Sequence, residues 1–492
     1  MSLPDNILVI GSGIGGMTAA IALAKLGCRV TVIEKNKITG GLMRSYTRWG
    51  IECDVGVHYI GAMDDGQPLR RIFDFLGITS RIPLVRMGEG GVVDQYHFPD
   101  MTFDFPSGID AFENNLFFAF PKEAAQIAKV MAVIRIAAAR LTSLAAMANQ
   151  QEDFDIVSEF RPVGAYLMDI GCSPGLCAVL LVPLGWIGML PEECPLYMWS
   201  SAVSSYLLSS WRLANGGRQL ADTLAARVKE LGGIIIEGDE VRKILVQDRT
   251  VRGIVLASGR ELSSSALIAA IHPKTLLRLL PEDSVKPSYR NRILSLKETP
   301  GVFCTHIAVP AADNPPKPYN LFAFHSADIG EGMFLQLKKS MKPGWNVLSI
   351  IERSPFEKWQ QWKDTSTGHR GQEYEDAKDR EVSILLDRAR EFLGPLSGAH
   401  TVDSFTPLTL RDWVNSPDGG AYGVLRSTDQ KFKTAALHRT PISGLHLVGQ
   451  STFAPGILGT ALGTLRTISQ LIGDESLLRR LLDSHEENIY NS

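Results

Sequence analysis

The chain has 492 residues with 50 basic and 53 acidic side chains, a formal net charge of −3, 45% hydrophobic residues and 21% charged ones. That balance excludes a disordered chain and gives no electrostatic footprint for nucleic acid, and 45 Gly with 26 Pro exclude collagen-like and low-complexity sequence. A single core rarely grows to this size, so two domains sharing interleaved segments are expected. Cys28, Cys53, Cys172, Cys177, Cys194 and Cys304 are too few and too scattered for a disulfide scaffold, and Cys172 and Cys177 lack the spacing of a zinc site. They read as reduced thiols of a cytoplasmic protein with no metal centre.

The pattern begins with a strand over Asn6–Ile10, with nothing resembling a signal peptide before it. The strand runs into Gly11-Ser12-Gly13-Ile14-Gly15-Gly16, then a helical pattern closed by Gly27, then a strand Arg29–Ile33 ending at Glu34 and Lys35. Strand, tight turn, helix, strand and an acid about 20 residues on form a dinucleotide fingerprint. Gly11 permits the turn, Gly13 lets the backbone approach a pyrophosphate, and Gly16 allows helix to pack on strand. The helix N-terminus offers N–H donors and positive dipole to the phosphates. Glu34 accepts hydrogen bonds from a ribose 2′-hydroxyl, which argues against a 2′-phosphate. A second glycine doublet, Gly40-Gly41, leads into Leu42-Met43-Arg44, and Gly56-Val57-His58-Tyr59-Ile60-Gly61 follows. A nicotinamide dehydrogenase has no need of that doublet; a flavin does, because its ribityl chain and ring extend beyond the pyrophosphate.

The hydrophobic surplus lies in the middle of the chain. Leu116-Phe117-Phe118-Ala119-Phe120 precedes Pro121, a good first helical residue, and a mostly apolar helix carrying Lys122, Lys129, Arg135 and Arg140 is expected to about Met147. It reads either as a cap over a substrate tunnel or as a helix lying on a membrane surface. Residues 170–191 and 194–211 carry no charge and are long enough to span a bilayer. Pro174, Pro183 and Pro191 break the first run, so buried helices of a substrate domain are expected instead. Gly216-Gly217 then opens a helix through Leu231, followed by strands at Ile234–Glu237, Val241–Val246, Val251–Leu256 and Ala266–Ile271. Further strands are expected at Val302–Val309, Met333–Leu337 and Val347–Ile351. A last strand ends at Gly449-Gln450, and Ala454-Pro455-Gly456-Ile457-Leu458-Gly459-Thr460 opens a helix to about Ile472.

Taken together, these blocks resemble the FAD-dependent amine oxidase and phytoene desaturase superfamily, and Gly56–Gly61, Thr406-Pro407-Leu408-Thr409, Gly420-Ala421-Tyr422-Gly423 and Gly449-Gln450 resemble its retinol saturase branch. The resemblance implies bound FAD. It implies that Gly41, Leu42, Met43, Arg44, Gly56, Val57 and His58 run along the flavin. A valine backbone, here Val241, would meet the adenine. Gly449 and Gln450 would meet the phosphate–ribityl region, and Gly456, Leu458, Gly459 and Thr460 the flavin pyrimidine. Two departures stand out: Gln450 replaces the usual acid, and Ala214-Asn215 replaces the proline before Gly216-Gly217.

The fold class expected is α/β, a Rossmann-type FAD-binding domain from discontinuous segments (1–75, 212–290 and 425–492) with an α+β substrate domain (76–211 and 291–424) under apolar cap helices. The expected substrate is a lipophilic polyene or isoprenoid, because the middle segments are so poor in charge. The flavin would saturate a double bond by hydride transfer from its reduced N5, or run desaturation or cis–trans isomerisation; a non-catalytic isoprenoid escort is the alternative of another class. His58, Tyr59 and Tyr422 are the candidate proton donors. With one dinucleotide fingerprint, the electron donor or acceptor (NAD(P)H, a quinone or a redox protein) would dock transiently, and a peripheral membrane contact would serve substrate delivery.

Overall fold

The computed structural model describes residues 5–143, 159–326 and 328–473; the expected helix end near Met147 lies outside them. One layer is a five-stranded parallel sheet in the spatial order Ile234–Glu237, Arg29–Glu34, Asn6–Ile10, Ala266–Ala269, Leu445–Leu447. Numbered along the chain this is 3-2-1-4-5, the Rossmann order, whose connections reverse beside the first strand and leave a crevice at its carboxyl end. Strands buried on both faces need apolar residues at consecutive positions, and Ile7-Leu8-Val9-Ile10 supplies them. Ile7 and Val9 pack against the helices Ile14–Lys25, Gly216–Glu230 and Gly456–Ile472. Leu8 and Ile10 face the other way, onto Val241, Ile244 and Ile254 of a three-stranded antiparallel sheet.

The second large sheet has seven strands in the order His400–Phe405, Gly301–Pro310, Trp345–Ser354, Met333–Lys339, Asn320–Ala323, Asp94–Phe98, Met101–Phe105. Three of these answer to the expected strands and extend them by one to three residues at each end or at one end only; four were not anticipated. The hairpin Asp94–Phe98 and Met101–Phe105 turns at Pro99-Asp100 and joins Asn320–Ala323 through the only parallel pairing of that sheet among the described residues.

Over this sheet lie the apolar helices. Pro121 opens a single 3-10 turn, Pro121–Glu123, and the α-helix proper is Ala124–Thr142. It buries Ile127, Val130, Met131 and Ile134, and Ser204 of the helix Leu196–Leu208 donates to the Ile134 carbonyl at 3.0 Å. Arg135 is bridged to Asp110 and Glu113, and Arg140 to Glu159, so two of the helix's cations are already paired. The uncharged stretch 170–191 folds as the helix Pro174–Leu181 and a 3-10 turn, Val182–Trp186. Trp199 Nε1 donates to the Leu180 carbonyl at 2.8 Å, which ties the two uncharged stretches together. Among the described residues no helix is long and apolar enough to cross a membrane.

Candidate active site

The turn after the first strand is built around Gly11, whose φ of +95° lies in the left-handed region that favours glycine. Its N–H donates to the Ile33 carbonyl at 2.8 Å, pinning the turn to the neighbouring strand. A Cβ on Gly16 would stand 1.9 Å from the Gly11 carbonyl oxygen, and one on Gly15 would stand 3.1 Å from Gly449 Cα. Gly16 is therefore a packing residue and, unlike Gly15, does not line the cavity described below. Gly13 differs: no protein atom lies within 4 Å of the Cβ it lacks, although its φ is an ordinary −66°. The space in front of Gly13 is open and belongs to the cavity described below. The helix Ile14–Lys25 has no side-chain N-cap and no acid in its first turn, so its N–H groups face that space unpaired by side chains. The helix Gly456–Ile472 is likewise uncapped, opens on Gly456 at φ +80°, and points its N-terminus into the same cavity.

Glu34 closes the other end of the turn. One carboxylate oxygen accepts from Ser12 Oγ at 2.5 Å and from the Ser12 N–H at 3.2 Å; the second accepts from the Asn36 N–H and side-chain amide, both at 2.9 Å. Residues far away in sequence cover this region. Lys35 Nζ donates to the Asp412 carbonyl and to Asn415 Oδ1, both at 2.8 Å, and the Arg44 guanidinium stands 5.4 Å from the Trp413 ring. Burial lowers the proton affinity of both Lys35 and Arg44, Lys35 against the pull of Glu240 and Glu34. The Glu34 contacts are those a ribose hydroxyl pair would compete for. Glu34→Ala is expected to weaken dinucleotide binding about 10- to 100-fold, the loss of one or two hydrogen bonds to a charged group, read by calorimetric titration of the apoprotein.

A single cavity of about 950 Å³ joins this cradle to the second sheet and the cap helices. That is the upper end of the range for small-molecule sites, roughly 300–1,000 Å³. Gly11, Ser12, Gly13, Ile14, Gly15, Glu34, Lys35, Gly41, Leu42, Met43, Arg44, Gly56, Val57, His58, Tyr59, Val241, Tyr422, Gly449, Gln450, Gly456, Leu458, Gly459 and Thr460 all line it. Beyond His58 the lining turns aromatic, with Trp186, Tyr206, Phe322, Phe324 and Phe334. Tyr59 lies parallel to Phe334 with ring centroids 6.3 Å apart, and 4.7 Å from Tyr206.

The three candidate proton donors fare differently. His58 is half-buried, its Nδ1 is shielded and has no partner, and desolvation depresses its pKa to about 4, so at neutral pH it is a neutral imidazole. The Tyr422 hydroxyl donates to the Gly185 carbonyl at 3.1 Å, and its ring packs where a Cβ on Gly188 would stand 2.4 Å from Cδ2. The Tyr59 hydroxyl is 2.9 Å from Asp94 Oδ2. Asp94 escaped the sequence reading, although an acid in register with Tyr96 in an alternating hairpin was a visible anomaly. Trp413 and Asn415 gave no local signal, since only folding brings them to Lys35 and Arg44.

The class of fold follows from the sheet order and the glycine turn: a Rossmann-type α/β fold. Residues 9–76 match the family model of the NAD(P)-binding Rossmann-like domain. An oxidoreductase from Methanosarcina mazei superposes with a TM-score of 0.68 over 94% of this chain and 100% of that one, at 17% identity. The chain is similar along its length to all-trans-retinol 13,14-reductase of Rattus norvegicus, 25% identical over 96% of this chain and 86% of the relative. It is also similar to prolycopene isomerase 1 of an Oncidium hybrid cultivar, 24% identical over 95% of this chain and 84% of that protein. The chain thus resembles the retinol saturase and carotenoid isomerase group.

Proposed function

We propose that this chain is an FAD-dependent oxidoreductase that saturates a carbon–carbon double bond in a lipophilic polyene or isoprenoid. The observation that carries the reading is the one continuous cavity, with a phosphate-and-ribose cradle at one end and an aromatic, apolar box at the other. The chain's own residues fit the dinucleotide. The empty space before Gly13, the uncapped helix at Ile14 and the Glu34 acceptors suit the pyrophosphate and adenosine ribose. The partnerless Nδ1 of His58 and the second helix N-terminus at Gly456 suit the polar edge of a flavin ring. When bound, a reduced flavin supplies a hydride equivalent to one alkene carbon.

The protein supplies orientation, dryness and a proton. Trp186, Tyr206, Phe322 and Phe334 offer flat apolar faces on which a conjugated chain lies, and their packing excludes water. A neutral His58 donates no proton as an imidazolium at pH 7; of the two tyrosines, Tyr422 bonds a backbone carbonyl, whereas Tyr59 bonds the Asp94 carboxyl, a group able to return a proton, and Tyr59 is therefore the donor. Electrons arrive from a donor that docks transiently, NAD(P)H, a quinone or a redox protein.

The test is an anaerobic titration of the photoreduced holoprotein with a panel of polyenes, followed by visible absorbance. Return of the oxidised flavin spectrum with one equivalent of polyene is the expected result. A spectrum unmoved by every polyene, with the cofactor demonstrably bound, contradicts the reading.

A further inference from the structure

Next to the aromatic box lies a hydrogen-bonded polar cluster inside an otherwise apolar layer. Asp94 has no solvent exposure and does not line the cavity. Its Oδ2 meets the Tyr59 hydroxyl at 2.9 Å and its Oδ1 accepts from Asn320 Nδ2 at 2.7 Å. Asn320 Oδ1 in turn accepts from Arg212 Nη2 at 2.7 Å and from Gln336 Nε2 at 3.0 Å. Gln336 Nε2 also reaches the His58 carbonyl at 3.3 Å. Arg212 stays one residue removed from the carboxyl and donates to the Lys317 carbonyl at 2.7 Å.

This arrangement is costly unless it does something. Packing needs no acid here, since an apolar side chain of similar size would fill the same place in the hairpin. Among the described residues the carboxyl has no direct cation to hold it ionised: the titratable and charged groups facing it are Tyr59, Tyr96, Tyr206 and Arg212, and Arg212 reaches it only through Asn320. Tyr59 belongs to both cavity and cluster, lining the cavity while its hydroxyl meets the carboxyl.

We propose that Asp94 is the internal proton reservoir of the reaction and that Tyr59 passes its proton to the substrate. The proposal rests on the polyene-saturating function put forward above. In the step, the Tyr59 O–H bond breaks and its proton forms a C–H bond at one alkene carbon. The proton on Asp94 moves to the Tyr59 oxygen, and the carboxylate left behind regains a proton from water between turnovers. The other alkene carbon takes the hydride, so the substrate gains two electrons and two hydrogens while the reduced flavin of the proposed function is oxidised. Burial pushes the Asp94 carboxyl up to about 7, against the hydrogen bonds from Asn320 and Tyr59 and the more distant pull of Arg212. An ordinary aspartate, near 3.9, is ionised at neutral pH; this one still holds its proton below about 7 and loses it as pH rises through that value. Proton delivery is therefore present on the acid side and lost on the alkaline side.

The experiment uses the full chain with its flavin, and compares wild type with Asp94→Asn and Tyr59→Phe by two readouts. The first is infrared difference spectroscopy without substrate, following the carboxylic acid C=O band from pH 5 to 9. The band is expected to titrate near pH 7 in wild type, to persist in Tyr59→Phe, and to vanish in Asp94→Asn. The second is the rate of flavin reoxidation by the best polyene across the same pH range. Wild type is expected to slow above about pH 7, and both variants to be slower by about a hundredfold or more, with the alkaline limb gone in Asp94→Asn. Should Asp94→Asn fold poorly, Tyr59→Phe, which keeps the ring packing, carries the kinetic arm and the wild-type band the spectroscopic one. An active wild type with an Asp94→Asn variant of unchanged rate and pH limb overturns the proton relay, as does the absence of a titrating band. A wild type that binds flavin but reduces no polyene overturns the functional reading instead.

Discussion

Gly13→Val is expected to give a folded, colourless protein. The position has an ordinary φ of −66°, and the Cβ it lacks would point into open space, so the turn is expected to accept a side chain without the strain met at Gly11 or Gly16. Its stability is expected to change by no more than about 0.5 kcal/mol, as at a surface site away from special features. The new methyls would instead stand where the proposed function puts the pyrophosphate, at the N-terminus of the helix Ile14–Lys25. Cofactor affinity is expected to fall by at least about a hundredfold, equivalent to about 2.7 kcal/mol. The purified variant should show an unchanged far-ultraviolet spectrum and no flavin absorbance. Gly16→Ala makes the contrast: its Cβ would stand 1.9 Å from the Gly11 carbonyl oxygen, so the turn must shift and both stability and flavin are lost. A Gly13→Val protein that purifies with a full complement of flavin contradicts the placement of the cradle.

The second large effect lies at the other end of the cavity. Trp199 is completely buried and is the anchor of the helix Leu196–Leu208, whose Met198, Ser201, Ala202, Ser205 and Tyr206 form cavity wall. Trp199→Ala removes a large core ring, worth about 3–5 kcal/mol, and leaves the Leu180 carbonyl without the donor it now has. The denaturation midpoint is expected to drop accordingly. Because the nucleotide cradle belongs to the parallel sheet and its helices, flavin should remain bound at low temperature while polyene turnover falls. Loss of flavin with no loss of turnover per bound flavin contradicts this division of labour.

The glycine fingerprint was legible because its meaning is local: turn, helix N-terminus and acid all lie within a few dozen residues, and backbone geometry dictates their types. The strands of the parallel sheet were legible for a similar reason, as short runs rich in Ile, Val and Leu, the first of them, Ile7-Leu8-Val9-Ile10, ending directly on Gly11. The hairpin at Asp94–Phe98 was not, because its alternation is interrupted by an acid at an inward position, and that acid is what gives the site its interest. The strand His400–Phe405 is half polar and takes its place only through pairing with Gly301–Pro310. Hydrophobic bookkeeping along the sequence correctly directed attention to 170–211, yet spanning length misleads there: prolines cut the run, and the pieces pack against Tyr96, Phe103, Phe105 and Phe112 rather than against lipid. The clamp of Trp413 and Asn415 over Lys35 and Arg44 could not be read at all, since nothing local marks a contact across some 370 residues.

The most direct measurement is the mass of the polyene after a single anaerobic turnover with the reduced holoprotein. The account predicts a product heavier by two hydrogens, in an amount equal to the flavin reoxidised. A product of unchanged mass with altered double-bond geometry, or one lighter by two hydrogens, contradicts it.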